Sequence, residues 1–227
     1  MRILSIGKIW EYHGLHIDSI EFSQLSSHKE IESYDYLLIN GGDGTIRRVL
    51  KQIHTLANIP KVILNPTGSF NVIAKLHRVP KIITLFEKLS QGEIPNTSTQ
   101  RIYALNKEIF LFSAGNMGDL QHIFLSETLR FGILKNGIAK YLLAGLFLVP
   151  VHIIMTPFML LSPRRFFVFT PASFISKFGS FYGNIKDPIS IDVENNYNLI
   201  ELDGDVVTIE ESVLEIKPAG NIEVVTH

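Results

Sequence analysis

Three short apolar runs, Arg2 to Ile6, Tyr36 to Asn40 and Lys61 to Asn65, mark the first third of the chain. Their length and their flanking polar residues predict buried β-strands rather than helices. The second and third runs are each followed by a glycine-containing turn and then by apolar residues at helical spacing, a sequence of elements that predicts α/β organisation. After the second run Ile46, Val49, Leu50, Ile53 and Leu56 recur at helical intervals, while Arg47, Arg48, Lys51 and Gln52 stand between them. This spacing predicts a helix with one packed face and one wet face. After the third run, Phe70 to Leu76 predicts a short helix that stops before Pro80, because proline disfavours helical geometry in the residue before it.

Beyond the polar, linker-like stretch Pro95-Asn96-Thr97-Ser98-Thr99 the pattern changes. Ile102 to Leu105 and Ile109 to Ser113, joined by Asn106-Lys107-Glu108, predict a hairpin. Helical patterns follow near Leu120 to Leu129 and Gly137 to Val149. Short β-rich runs come next at Phe166 to Thr170, Ile189 to Val193, Leu199 to Leu202, Val213 to Ile216 and Ile222 to Val225. The expected organisation is an α/β domain over 1–96 and a smaller β-rich, sandwich-like domain over 97–227. The second carries an apolar helical insertion, and its last strands are able to return toward the first domain. No internal repeat or low-complexity tract interrupts this plan.

Composition narrows the function classes. A chain of 227 residues, 46% of them hydrophobic, can bury a sizeable core. A net charge of -1, from 21 basic and 22 acidic residues, withholds the global attraction on which nucleic-acid binding rests. With no cysteine the chain has no disulfide, zinc-thiolate or thiol nucleophile, which fits a reducing cytoplasm. Met1 to Ile6 is too short an apolar start for a signal-peptide core. The run from Tyr141 to Leu161 carries no Asp, Glu, Lys or Arg and is long enough to span a bilayer, but Pro150 and Pro157 would each remove an amide donor there. Three readings stay open for it: a span, an apolar element touching membrane or covering substrate, and buried core. Arg164-Arg165, just beyond it, reads as a solvated pair at a strand start or as a contact for anionic headgroups.

Two patterns carry little chemistry. The eight histidines are scattered, without metal-ligand spacing on any expected helix, so no metal residue is assigned. Ser113-Ala114-Gly115-Asn116 lacks the flanking glycines of a nucleophile elbow and reads as a strand end.

The strongest chemical signal is Asn40-Gly41-Gly42-Asp43-Gly44-Thr45, a glycine cluster between an apolar strand and an amphipathic helix. Exposed amides and a helix N-terminus in such a turn can hold phosphate oxygens, and glycines permit the approach; the simpler alternative is a tight turn.

Gly41-Gly42-Asp43-Gly44-Thr45 resembles a motif shared by the NAD kinases and by the lipid kinases of the diacylglycerol kinase and sphingosine kinase family. Two further segments favour the lipid kinases. Pro66-Thr67-Gly68-Ser69-Phe70-Asn71-Val72-Ile73-Ala74 is similar to their Pro-x-Gly-Thr-x-Asn-x-x-Ala. Leu202-Asp203-Gly204-Asp205, followed by Leu214 to Ala219, is similar to their Asp-Gly-Glu segment and closing strand. The resemblance implies an N-terminal α/β nucleotide-binding domain of the NAD kinase/diacylglycerol kinase type. It implies that Gly41, Gly42, Asp43, Gly44, Thr45, Gly68 and Ser69 contact ATP. Asn71 would support their loop, and Asp43 would organise the nucleotide and magnesium region. Asp205 would take the place of the glutamate that activates the acceptor hydroxyl.

The implied activity is transfer of the ATP γ-phosphate to a hydroxyl of a membrane lipid, diacylglycerol-like or sphingoid. ATP and Mg2+ are the implied cofactors, a homodimer is a candidate assembly, and the location is cytoplasmic, peripheral at the inner face of the membrane. The sequence departs from the family at Arg47-Arg48 in place of Asn-Glu, at Val72 in place of an acidic residue, and at Asp205, one methylene shorter than glutamate. The first strand lacks the Asn-Pro-x-x-Gly turn, the second domain is short, and no Asp-Gly-Leu-Leu metal loop is found. A family member that binds nucleotide or lipid without turnover is the alternative, and a kinase of a soluble substrate such as NAD the lesser one.

Overall fold

The computed structural model describes residues 1–68, 70–116, 157–158 and 160–227. Ser69, the helices expected near 120–129 and 137–149, and most of the apolar run from Tyr141 lie outside the described residues. The chain forms two compact units, one of Met1–Leu111 with Lys217–His227 and one of Phe112–Ile216.

In the first unit the three apolar runs are strands β1 (Arg2–Ile6), β3 (Tyr36–Gly41) and β4 (Lys61–Pro66), joined in parallel. Strand β2 (His16–Ile20), not anticipated from the apolar pattern, pairs in parallel with β1. It is an edge strand with no apolar run: Ile17 packs against the core, and Asp18 accepts hydrogen bonds from the Tyr34 hydroxyl at 2.8 Å and from Arg2 at 3.4 Å. The Tyr34 hydrogen bond holds the Asp18 carboxyl below its ordinary range, against the opposing effect of burial.

Helix α1 (Asp43–Ile53) packs Ile46, Val49, Leu50 and Ile53 inward and ends before Leu56. Helix α2 (Val72–Leu76) starts later than expected, leaving Phe70 outside it. Helix α3 (Ile82–Ser90), also not anticipated, buries Leu85, Phe86 and Leu89. Phe86 packs in one cluster with Ile3, Tyr36, Leu38 and Ile63, and its ring lies 5.4 Å from those of Trp10 and Tyr12.

The polar stretch expected as a linker is instead the start of β5 (Thr97–Leu105), which forms a hairpin with β6 (Glu108–Phe110). A single strand, β14 (Val213–Val225), replaces the two expected near the C-terminus. The order β2-β1-β3-β4-β14-β5-β6 brings β5 and β6 into the first sheet, so the first unit runs to Leu111, where the sequence put a boundary at 96.

Arg47 is a correction. It was expected on the wet face of α1 but is only 4% exposed. Its Nη1 lies 3.3 Å from Glu108 Oε2, and Lys51 Nζ lies 2.6 Å from Glu108 Oε1. Helical spacing marks the face of α1 that meets the sheet and is silent about β6, which supplies the countercharge. Glu108→Gln is expected to lower stability by about 1–2 kcal/mol in denaturant unfolding, because a mostly buried guanidinium then faces a neutral amide. An unchanged midpoint would show that the pair is solvent-screened.

The second unit is β-rich. Its sheet has the order β13-β12-β7-β8-β10-β9, formed by β7 (Ser113–Gly115), β8 (Phe167–Phe169), β9 (Lys177–Phe178), β10 (Phe181–Tyr182), β12 (Asn198–Leu202) and β13 (Asp205–Ile209). All these pairs are antiparallel except β8 with β10. Strand β11 (Ile189–Asp192) pairs with Val213 to Ile216 of β14. Ser113 to Asn116 is a strand end whose last residue fixes the chain opposite. Asn116 Oδ1 accepts from the Phe166 amide at 2.9 Å, and its Nδ2 donates to the Arg164 carbonyl at 2.8 Å.

Candidate active site

The carboxyl ends of β1, β3 and β4 gather three turns. The order β2-β1-β3-β4 makes the chain leave β1 to one side and return for β3 on the other. The crevice at the ends of β1 and β3 is therefore a topological switch point, where open parallel sheets bind ligands. Asn40 ties these ends together. Its Nδ2 donates to Ser5 Oγ at 3.1 Å and to the Ile6 carbonyl at 2.9 Å, while its Oδ1 accepts from Trp10 Nε1 at 2.9 Å and Asn65 Nδ2 at 2.8 Å. The result is a fixed exit for Gly41.

The glycines are required by space. A Cβ on Gly41 would lie 2.4 Å from Thr45 Cβ. Gly42 and Gly68 meet backbone to backbone, and a Cβ on Gly68 would come within 2.8 Å of Gly42 Cα and 2.9 Å of Asn71 Oδ1. The Thr67 amide donates to the Gly41 carbonyl at 3.2 Å, joining the same two turns. Two loops thus touch through glycine backbone, with no side chain between them, at the start of α1, whose first-turn amides, at Asp43 and Gly44, have no carbonyl of their own helix to bond. The amides of Thr45 and Ile46 donate to the Gly42 carbonyl and close that turn.

Asn71 and Asp43 hold this arrangement. Asn71 has left-handed backbone geometry at φ 48, and its side chain closes the loop: Oδ1 accepts from the Gly68 amide at 3.1 Å and Nδ2 donates to the Gly68 carbonyl at 2.5 Å. With that side chain engaged, α2 takes its cap from elsewhere. Asp43, buried in the first turn of α1, accepts the Val72 amide on Oδ2 at 2.8 Å and the Ile73 amide on Oδ1 at 3.1 Å. A carboxylate of one helix thereby caps the next, stabilised by the dipoles of both N-termini. Asn40 was read only as the residue before the glycines, and Asn65 and Trp10 were not identified from sequence; for the two asparagines the signal available was a place at a strand end.

Asp205 opens β13 in the second unit, paired with Leu202 across a two-residue Asp203-Gly204 turn with φ 52 and 89, the Asp-Gly form of a tight hairpin. Its neighbour Asp203 is buried, and Asp203 Oδ1 accepts the amides of Phe112 at 2.9 Å and Ser113 at 3.0 Å. Of the two aspartates in this segment, Asp203 anchors the turn and Asp205 is the more accessible.

The described residues contain no group of three or more His, Asp or Glu side chains placed to hold a metal ion. Each Asp43 oxygen accepts one amide and keeps a further lone pair, so Asp43 is the carboxylate at the glycine turns that could share a magnesium ion with nucleotide phosphates and water.

Residues 17–102 match the family model described as Diacylglycerol kinase catalytic domain. The matched stretch is 86 of the chain's 227 residues. The match takes in Gly41 to Thr45 and Gly68 to Asn71. The "Putative lipid kinase" of Streptococcus pneumoniae serotype 4 is 29% identical over 121 residues, which make up 52% of this chain. The aligned part is 40% of that relative, so the chain spans well under half the length of the curated protein it matches. A crystal structure of a diacylglycerol kinase from Bacillus anthracis aligns with 100% of this chain and 96% of its own at a TM-score of 0.55 and 13% identity, which shows a shared fold. The resemblance to this lipid-kinase family thus has sequence support over residues 17–102, which hold the first two of its three motifs, and the solved structure adds a shared fold.

Proposed function

We propose that the chain is an ATP-dependent lipid kinase. ATP phosphates lie on Gly41 to Thr45 and on Gly68-Ser69, and Asp205 draws the proton from a lipid hydroxyl as that oxygen attacks the γ-phosphorus. The bond to the β-phosphate bridging oxygen breaks, and ADP leaves; Mg2+, when bound, would neutralise charge on the phosphates. The observation that carries the reading is the contact of Gly42 with Gly68 at the switch point, a backbone-only cradle beside helix α1. Phosphoryl transfer asks little covalent chemistry of the protein; positioning and charge neutralisation supply most of the effect. A carboxylate near the acceptor suffices as base.

Arg47 no longer weighs against this reading, since its charge is met by Glu108 rather than turned on a phosphate site. Val72 contributes a backbone amide to Asp43, which any residue but proline could do.

The test is to incubate the protein with radiolabelled ATP, magnesium and mixed micelles that present diacylglycerol, a sphingoid base, ceramide and a polyprenol. Label in one lipid is the expected result. A rise in melting temperature with ATP, but no label in any lipid, would favour the non-catalytic binder; phosphorylation of NAD without micelles would favour the soluble-substrate kinase.

A further inference from the structure

We infer that the β9–β10 hairpin and the edge of Phe158, Leu160 and Leu161 beside it form a docking surface for an anionic phospholipid bilayer. This deepens the lipid-kinase reading by naming the face that meets the membrane.

The hairpin is short and rigid. Phe178 pairs with Phe181 and Lys177 with Tyr182 across a two-residue turn at Gly179-Ser180. The turn is pinned to the neighbouring segment: the Ser180 amide donates to the Leu160 carbonyl at 2.8 Å, and Ser180 Oγ donates to the Ser162 carbonyl at 2.6 Å. Gly179, at φ +57, lies so close to the Leu160 carbonyl that no Cβ fits. The packing therefore binds tip and segment into one edge while leaving its large apolar side chains in solvent. Leu161 is 81% exposed, Phe178 67% and Phe158 68%, and Phe174, just before β9, is 86% exposed. Fixed apolar groups of this size in water mark a contact surface rather than a loose loop.

Charge and shape choose the occupant. Directly beside the apolar edge is an open cavity of about 520 Å3, bordered by Leu161, Ser180 and Tyr182, with three cations, Arg164, Arg165 and Lys177. Two carboxylates, Asp192 and Glu194, also border it, leaving a balance of one positive charge. Glu194 is engaged by Arg164, and Asp192 Oδ1 accepts the Glu194 amide at 2.9 Å. Apolar prongs with cations and hydroxyls immediately behind them match the depth profile of a bilayer surface, where acyl chains give way to phosphates within about 5–10 Å. In sequence this edge closes the run from Tyr141 to Leu161, which carries no Asp, Glu, Lys or Arg. Among the described residues no helix is long and apolar enough to cross a membrane.

The test is sedimentation of the full chain with vesicles of phosphatidylcholine alone and with vesicles containing about one quarter phosphatidylglycerol. Wild type is expected to bind the mixed vesicles in a salt-sensitive manner. Leu161→Ser/Phe178→Ser is expected to weaken that binding by about tenfold or more, with an unchanged melting temperature, since both side chains are already in water. Lys177→Glu is expected to weaken binding by about tenfold and to flatten its salt dependence. Absence of wild-type binding, or equal binding by the variants, would overturn the inference whatever the kinase assay shows. Retained vesicle binding with loss of self-association in the double variant would assign the surface to a second copy of the chain instead. Vesicle binding needs no turnover, so the lipid-kinase reading can fail while this surface stands.

Discussion

Asp43→Ala is expected to lower stability by about 3 kcal/mol, since it strips two charge-assisted hydrogen bonds from buried amides. The amides of Val72 and Ile73 would lose their acceptors together, and α2, with only five residues, has no side-chain cap of its own because Asn71 is committed to Gly68. Asp43→Asn should fall between the two, as its amide oxygen can serve one donor while its NH2 faces the other. Denaturant unfolding gives the stability, and the ATP-induced shift in melting temperature gives the state of the cradle. Lost stability with a reduced ATP shift is the expected pair, because the Gly68 loop is carried by α2. An unchanged midpoint with no ATP shift would instead make Asp43 a direct nucleotide contact.

The second large effect is at Asp205. Asp205→Asn is expected to reduce phosphate transfer by roughly a hundredfold to ten-thousandfold, the usual contribution of a positioned general base, while leaving the ATP-induced melting shift unchanged. Asp205→Glu, which restores the length seen in the family, should retain transfer to within about tenfold. Asp203→Ala separates the neighbouring carboxylates: it strips the Oδ1 acceptor from two buried amides, so the loss there should be in stability first. Parallel loss of ATP binding and transfer in Asp205→Asn would remove its role as base. Full activity in that variant would place the base elsewhere.

The legible parts of the fold share one cause. β1, β3 and β4 are buried on both faces, so they read as continuous apolar runs, and α1 presents a regular apolar stripe to the sheet. β2 and the start of β5 escaped notice because an edge or half-buried strand may be built from His, Asp, Ser and Thr. The pairing of β2 comes from β1, fourteen residues earlier, and that of β5 from β14, distant in sequence, and neither leaves a mark in the local pattern. β14 was read as two strands because Pro218 and Gly220 interrupt its pattern, yet the strand continues as its halves find partners in β11 and β4.

The site divides in the same way. Glycine clusters after buried strands announce a turn that tolerates no side chain, so Gly41, Gly42 and Gly68 could be chosen from sequence alone. That Gly42 touches Gly68, that Asp43 caps α2, and that Asn40 binds three strand ends depend on loops brought together by parallel pairing. The sequence by itself determined the α/β plan, the glycine turns and the family likeness, because each rests on local spacing and residue size. Tertiary structure decided which charges are structural, Arg47 with Glu108 and Asp43 with α2, and which apolar groups stay in water at the β9–β10 tip. Burial and countercharge are set by neighbours that are distant in sequence.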